Sequence, residues 1–325
     1  MRTDTAQRIL AYISEKREVT AKAIIDYLGI SPQAVFKQLK TLVGRGLILK
    51  VGSPPKVFYS VKKTVHRLNG KTVNATLQKL IDQNYLIITP RGETLRGMAG
   101  FDYWCEKNHL SVAKTAREYV QTLKKYGVFK KRGLINGLLK LKQTFPTVYL
   151  DELYYLDFYS LERFGKTKLG ALLLYAKQSQ NKELIKEIYA IVKSRVERLI
   201  KNKNVDAVGF IPPTVSRKTQ FQKEMERLLA LGLPKIKIVK AMAGVAVPQK
   251  TLNKLADRIE NASGSIFIDE DTVYQNILLI DDAVGSGATF NETARKIKEK
   301  GLCVGKIIGL SITGSFKGFE VLKEV

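Results

Sequence analysis

Two adjacent carboxylates, Asp281 and Asp282, are the residues of this sequence that are best placed to do chemistry. They follow four consecutive apolar residues, Ile277–Ile280, a pattern typical of a strand that is buried on both faces of a parallel sheet. Ligands of open α/β sheets bind at the carboxyl ends of such strands. We therefore expect both acids to contact a ligand, and we treat them as candidate catalytic residues.

A loop of small and hydroxyl residues follows the acids; it comprises Ala283, Val284, Gly285, Ser286, Gly287, Ala288 and Thr289. The loop leads into a predicted helix, Phe290–Lys300, and backbone N–H groups at such a helix start attract anions. The hydroxyls of Ser286 and Thr289 could also donate to a phosphate. Because the two acids would repel a phosphate, we expect them to contact sugar hydroxyls or a metal-bridged group. The predicted ligand is a ribose 5-phosphate.

The stretch 277–289 resembles the signature of the type I phosphoribosyltransferases, which has four apolar residues, two acids and a loop that ends in Gly-x-Thr. The resemblance implies that the loop binds the 5-phosphate of phosphoribosyl pyrophosphate (PRPP). It also implies that the acids contact the ribose hydroxyls and that Mg²⁺ accompanies PRPP. Ser286 stands where a Thr is often found. The alternative is an ordinary strand, turn and helix with two acids at the surface.

Strands that alternate with helices predict a parallel sheet in this part of the chain; the predicted strands are Val205–Ile211, Ile236–Val239, Ile277–Ile280 and Val304–Leu310. In the resembling family a pyrophosphate loop follows the first of these strands. That position is occupied here by Thr214, Ser216, Arg217 and Lys218, and the two basic residues suit a pyrophosphate. The alternative is a solvated basic loop.

A narrower resemblance, over roughly residues 170–315, is to the ComF-type competence phosphoribosyltransferases. It rests on Phe210–Lys218 and on Pro248–Leu252 followed by Arg258, Asn261, Gly264 and Phe267. Arg258 could close over a ligand or be an ordinary solvated residue. ComF proteins commonly begin with a zinc ribbon that is rich in Cys, and this chain has no such segment.

The first 63 residues resemble a winged helix-turn-helix. Thr20 can cap a second helix that ends at Gly29, and Ser31 with Pro32 starts a third. Two predicted strands follow, Leu47–Val51 and Val57–Val61.

In winged-helix modules the third helix enters the major groove of DNA. Gln33 could then read a base edge, Phe36 could pack on a thymine methyl or a sugar, and Lys37 and Lys40 would bind phosphate. Lys56, in the wing, could reach the backbone or the minor groove. A module used for protein contacts or dimerisation is the alternative.

The net charge of the 325-residue chain is +25. Residues 1–63 carry +8 and residues 64–150 carry +10, so the charge is concentrated in the first half. This skew favours a polyanionic partner, nucleic acid above all, over a merely basic composition.

The composition also restricts where the protein acts. No apolar run is long enough for a membrane span, and the N-terminus lacks the apolar core of a signal peptide. Two cysteines and two histidines are too few and too scattered for a zinc site; they are Cys105, Cys303, His66 and His109. We expect a cytoplasmic protein with no resident metal, with Mg²⁺ arriving together with PRPP.

These patterns predict a multi-domain α+β and α/β protein: a winged helix-turn-helix (1–63), a mostly helical middle (64–165) and a phosphoribosyltransferase-like domain with a parallel sheet (166–325). The leading hypothesis is a DNA-binding transcription regulator that responds to PRPP or a nucleotide, an order of domains shared with the pur operon repressor family. The alternative is a phosphoribosyltransferase, hence a glycosyltransferase, or a ComF-like factor for DNA uptake or processing. A homodimer is left open.

Overall fold

The computed structural model describes residues 5–61, 73–241, 244, 247 and 251–316. The chain packs as two compact units, Met1–Asn69 and Gly70–Val325. Residues 248–250 of the ComF resemblance lie outside the described residues.

The first unit contains three helices and a small antiparallel sheet. The helices are α1 (Thr5–Lys16), α2 (Ala21–Leu28) and α3 (Pro32–Gly44), and the strands are β1 (Val19–Thr20), β2 (Ile48–Ser53) and β3 (Lys56–Val61). The strand order is β1-β3-β2. This is the order and topology of a winged helix, as predicted.

Local signals in the sequence explain the helix ends of this unit. The Thr20 hydroxyl accepts the Ala23 N–H at 3.2 Å, and Gly29 ends α2 with φ +62°. The Ser31 hydroxyl accepts the N–H of Ala34 at 3.3 Å at the start of α3. The apolar residues of α3 face a common core with those of α1 and α2; this core includes Ile9, Ile13, Ile24, Leu28, Val35, Leu39 and Leu42.

The second unit is built on a six-stranded sheet with strand order β6-β7-β8-β13-β12-β9. Its strands are β6 (Lys130–Lys131), β7 (Leu134–Asn136), β8 (Glu152–Phe158), β9 (Ala207–Phe210), β12 (Tyr274–Val284) and β13 (Cys303–Gly314). The last four strands in this order are parallel, whereas β6 and β7 are antiparallel additions at one edge. The predicted sheet is therefore confirmed as mostly parallel.

Helices cover both faces of this sheet. One face packs against α4 (Ala75–Asn84), α5 (Gly97–Lys107), α6 (Val112–Gly127), α7 (Leu138–Thr144), α11 (Leu255–Ser265) and α12 (Ala288–Glu299). The other packs against α8 (Lys168–Ser179), α9 (Lys182–Lys203) and α10 (Phe221–Leu229). On β12, Ile277 and Leu279 enter the first core while Leu278 and Ile280 enter the second. The predicted burial of this strand on both faces is thus observed.

The described part of the predicted middle region, residues 73–165, is packed against the α/β domain more closely than the sequence indicates. Its helices α4–α6 share one hydrophobic core with β12 and α12, and β8 pairs with β13 along six positions. The predicted division between residues 165 and 166 therefore does not coincide with a break in packing. Two short strands, β4 (Leu86–Ile88) and β5 (Thr94–Arg96), form their own antiparallel pair in this region.

Two predicted strands differ from the structure in ways that shape the site. Strand β12 does not end before the acids but continues through them to Val284, because its pairing with β13 extends to Gly314. The predicted strand Ile236–Val239 pairs with β9 only around Lys235, where Ile236 donates to Val208. It then leaves the main sheet as β10 (Ile238–Lys240), which is antiparallel to β11 (Ile266–Ile268).

Among the described residues, no helix is long and apolar enough to cross a membrane.

Candidate functional site

A cavity of about 290 Å³ opens at the carboxyl end of β12. It is lined by both predicted acids and by every residue of the loop from Ala283 to Thr289. Residues of α8, α10 and β10 and of the segment after β9 also line the cavity, including Lys177, Gln222, Lys240 and Ile211. The structure therefore brings the loop 283–289 and the acid pair together in one concave site.

Asp281 is held by donors from two directions. Its Oδ1 accepts from Nε2 of Gln222 at 2.9 Å and from the backbone N–H of Asp282 at 2.7 Å. Burial, and next the negative charge of Asp282, raise the pKa of Asp281 well above its ordinary range, against the opposing charges of Lys177 and Lys240. Asp281 therefore keeps a proton more readily than an exposed aspartate does.

Asp282 is compensated by a residue that the sequence does not point to. Lys177, in the last turn of α8, forms an ion pair with its carboxylate. Only 14% of the Asp282 side chain is exposed, against 37% of that of Lys177. No local pattern marks Lys177, because 105 residues separate it from Asp282 and the pairing depends on the tertiary fold.

The loop after the acids has the geometry of a helix start. Gly287, with φ +83°, is the N-cap of α12, and the Ser286 hydroxyl accepts the N–H of Ala288 at 3.3 Å. The buried amide of Asn291 fixes this helix end to a neighbouring segment: its Nδ2 donates to the Thr147 carbonyl at 2.9 Å, and its Oδ1 accepts from Tyr149 N–H at 2.8 Å. The first turn of α12 is therefore positioned by the middle of the chain.

The predicted pyrophosphate residues divide into two pairs. Thr214 and Arg217 line the cavity, whereas Ser216 and Lys218 are exposed to solvent and do not line it. Nζ of Lys240 donates to the Thr214 hydroxyl at 2.6 Å. Arg217 donates to the backbone carbonyl of Lys177 at the end of α8.

Two further cations lie in the wall. Burial lowers the pKa of Lys240, against an opposing effect of Asp281, and burial also lowers the pKa of Arg258. Arg258 is 5% exposed, and one of its guanidinium nitrogens would lie 3.3 Å from a Cβ at Gly285. Its Nε donates to the Leu252 carbonyl at 2.8 Å, so its head is held beside the loop. Lys177, Arg217, Lys240 and Arg258 exceed the two acids in number, which gives the cavity an excess of positive charge.

The oxygens of the site suit a divalent cation that is shared with a ligand. Mg²⁺ prefers oxygen donors and usually keeps several waters beside one or two carboxylates. Asp281, Asp282, Ser286 and Thr289 supply such oxygens, but within the described ranges no three His, Cys, Asp or Glu residues cluster as a metal site. These residues fit Mg²⁺ as a weakly held cation, to which ligand phosphates would add further oxygen donors.

The predicted DNA-contacting residues lie on the surface of the first unit. Gln33, Phe36, Lys37 and Lys40 are exposed on α3, and Lys56 is exposed at the start of β3. Phe36 is 52% exposed, which is unusual for so large an apolar side chain. The four helix positions share the face opposite the buried residues Val35, Leu39 and Leu42.

The shifted pKa of Asp281 predicts a pH-dependent stability. Because the folded state raises this pKa, stability is lost as the pH rises through the unfolded value toward the folded one. Asp281→Asn cannot titrate, so its stability relative to the native chain should be greater at pH 8 than at pH 5, by on the order of 1 kcal/mol. Thermal unfolding at both pH values measures this difference. Asp271→Asn, at an exposed carboxylate, is the control, and a difference for Asp281→Asn that is the same at both pH values would contradict the prediction.

Residues 3–55 match the model of the MarR family. The first unit is therefore a MarR-type winged helix, and the match includes the four candidate DNA-contacting residues of α3. No curated protein matches the sequence significantly.

Solved structures similar to the chain include three adenine phosphoribosyltransferases. The Leishmania tarentolae enzyme is 15% identical, with 45% of this chain and 76% of its own chain covered and a TM-score of 0.26. The Leishmania donovani enzyme is 16% identical, with 42% of this chain and 68% of its own chain covered and a TM-score of 0.26. The Trypanosoma brucei enzyme, in complex with AMP, pyrophosphate and ribose-5-phosphate, is 15% identical, with 49% of this chain and 72% of its own chain covered and a TM-score of 0.27. The chain combines a winged helix of the MarR type with a second unit built on a mostly parallel sheet.

Proposed function

We propose that this protein is a cytoplasmic transcription regulator that binds DNA through its winged helix and senses PRPP or a related ribose 5-phosphate nucleotide through its α/β domain. The observation that carries the proposal is the cavity in which the acid pair and the small-residue loop meet. A sensor needs only to bind its ligand, and the same chain supplies a MarR-type domain that can respond to it.

The charges of the cavity suggest how PRPP would lie. The 5-phosphate would accept from backbone N–H groups of the loop and the start of α12, with Arg258 beside it. The ribose hydroxyls would face the acid pair. The pyrophosphate would extend toward Thr214, Arg217 and Lys240, which also line the cavity. Mg²⁺ bound to the pyrophosphate would reduce its repulsion from the acids.

An enzyme is the second candidate. Tyr159, Leu173 and Leu174 add an apolar surface to the cavity, and a nucleobase acceptor could pack there. Asp281 and Asp282 would then act at the ribose during transfer. A ComF-like factor for DNA uptake or processing would use the same cavity with the winged helix as its DNA attachment.

The first test replaces both carboxyl groups of the acid pair with amides. Asp281→Asn combined with Asp282→Asn should weaken PRPP binding at least about tenfold, because the ribose hydroxyls lose both carboxyl partners. Calorimetry on the full chain with Mg²⁺ measures the affinity, and Asp271→Asn, outside the cavity, should bind like the native chain. Unchanged affinity in the double variant would show that the ligand lies elsewhere.

The second test concerns the exposed face of α3. Lys37→Ala and Lys40→Ala should each weaken binding to every duplex sequence and reduce the slope of log affinity against log salt by about one, because each removes one phosphate contact. Gln33→Ala should change sequence preference instead. Fluorescence anisotropy over a range of salt concentrations gives both readings. A full chain with no DNA affinity at low salt would favour a protein-contact module.

The third test asks whether the two activities are coupled. A regulator requires a ligand that binds the DNA-competent and DNA-incompetent states with different affinity, and typical coupling energies change affinity about 5–150-fold. Saturating PRPP with Mg²⁺ should therefore shift the DNA titration of the full chain by a factor in this range. Identical titrations together with transfer of the phosphoribosyl group to a base would favour the enzyme.

A further inference from the structure

Among the described residues of the cavity wall, Lys177 is the cation that forms an ion pair with Asp282. It extends from the last turn of α8, a helix that contains neither the acid pair nor the basic loop 214–218. Its ion pair is partly shielded, since the Asp282 side chain is mostly buried. The acid pair is therefore already partly neutralised from within the chain.

The end of α8 is also tied to the basic loop after β9. Arg217 donates to the carbonyl of Lys177, and the backbone N–H of Thr219 donates to the Gln180 side chain at 2.9 Å. A basic residue on the last carbonyls of a helix is a favourable arrangement. These contacts hold Lys177 in place, so its position at Asp282 does not depend on one flexible side chain alone.

We infer that Lys177 is a specificity-determining residue that competes with divalent cations for Asp282 and so limits the Mg²⁺ dependence of ligand binding. The inference rests on the proposed function, in which this cavity takes a phosphorylated ribose. It concerns a different property, the identity of the cation at the acid pair.

Electrostatics gives the direction of the effect. Mg²⁺ gains most from a carboxylate pair that carries its full negative charge, and an ammonium already paired with one carboxylate reduces that gain. The cation must also displace Lys177 or share Asp282 with it. Removing the ammonium should therefore strengthen divalent binding at the acids and weaken ligand binding in the absence of metal, since a phosphorylated ligand then meets an Asp282 carboxylate that has lost its ion-pair partner.

The first experiment uses the metal alone, with Mn²⁺ as the probe and electron paramagnetic resonance as the readout on the full chain. Lys177→Gln should bind Mn²⁺ about fivefold more tightly than the native chain, the factor expected for loss of an ion pair of this exposure. Lys177→Arg should restore native behaviour because it keeps the charge. Lys182→Gln is the matched control, since Lys182 pairs with Glu224 outside the cavity.

Adding Asp282→Asn to Lys177→Gln should abolish the gain in Mn²⁺ affinity. Lys177→Met, which keeps most of the apolar stem, serves as a second neutral variant if Lys177→Gln unfolds. Mn²⁺ affinities of both neutral variants equal to that of the native chain would overturn the inference, whatever the ligand of the cavity is.

The second experiment measures ribose 5-phosphate and PRPP by calorimetry with and without Mg²⁺. For each ligand, the dissociation constant without Mg²⁺ is divided by the dissociation constant with Mg²⁺. This ratio should be about fivefold higher in Lys177→Gln than in the native chain, and Lys177→Arg should show the native ratio. Equal ratios in all variants would overturn the inference while leaving the proposed function intact. If neither the native chain nor any variant binds ribose 5-phosphate or PRPP, the proposed function is wrong. The Mn²⁺ affinities alone would then decide whether Lys177 competes with divalent cations.

Discussion

Two carboxylates at the end of a buried strand create a charge problem that the surrounding residues are arranged to solve. Asp282 pairs with Lys177, and Asp281 accepts from Gln222 while its raised pKa favours a retained proton. Buried charges are tolerated only with such partners. The partners come from α8 and α10, so the site exists only because both helices pack against the same face of the sheet.

The position of the acids depends in turn on the order of the strands. Strand β12 lies between β13 and β9, and its residues enter the hydrophobic cores on both faces. The loop that follows is fixed by Asn291, which bonds to the backbone at Thr147 and Tyr149. Because those two residues precede β8, the middle of the chain helps to position the loop 283–289.

The local features of this protein were predictable from its sequence, whereas its long-range pairs were not. Periodicity, caps and the signature at 277–289 predicted the winged helix, the mostly parallel sheet and the clustering of loop and acids. The roles of Lys177, Gln222 and Lys240 at the acids depend on contacts between distant segments, and no spacing in the sequence encodes them. Ser216 and Lys218 share the predicted pyrophosphate loop with Thr214 and Arg217, but their side chains are exposed to solvent, and the position of a residue in a loop does not determine which way its side chain points.

The central claim, that the cavity binds a ribose 5-phosphate group, is tested most directly by a crystal structure of the full chain with PRPP and Mg²⁺. The account predicts the 5-phosphate on the backbone N–H groups of residues 285–289 and the ribose hydroxyls at Asp281 and Asp282, with Lys177 moved from Asp282. A phosphate bound only by exposed residues such as Lys218, with the cavity empty and the Lys177–Asp282 pair intact, would contradict it.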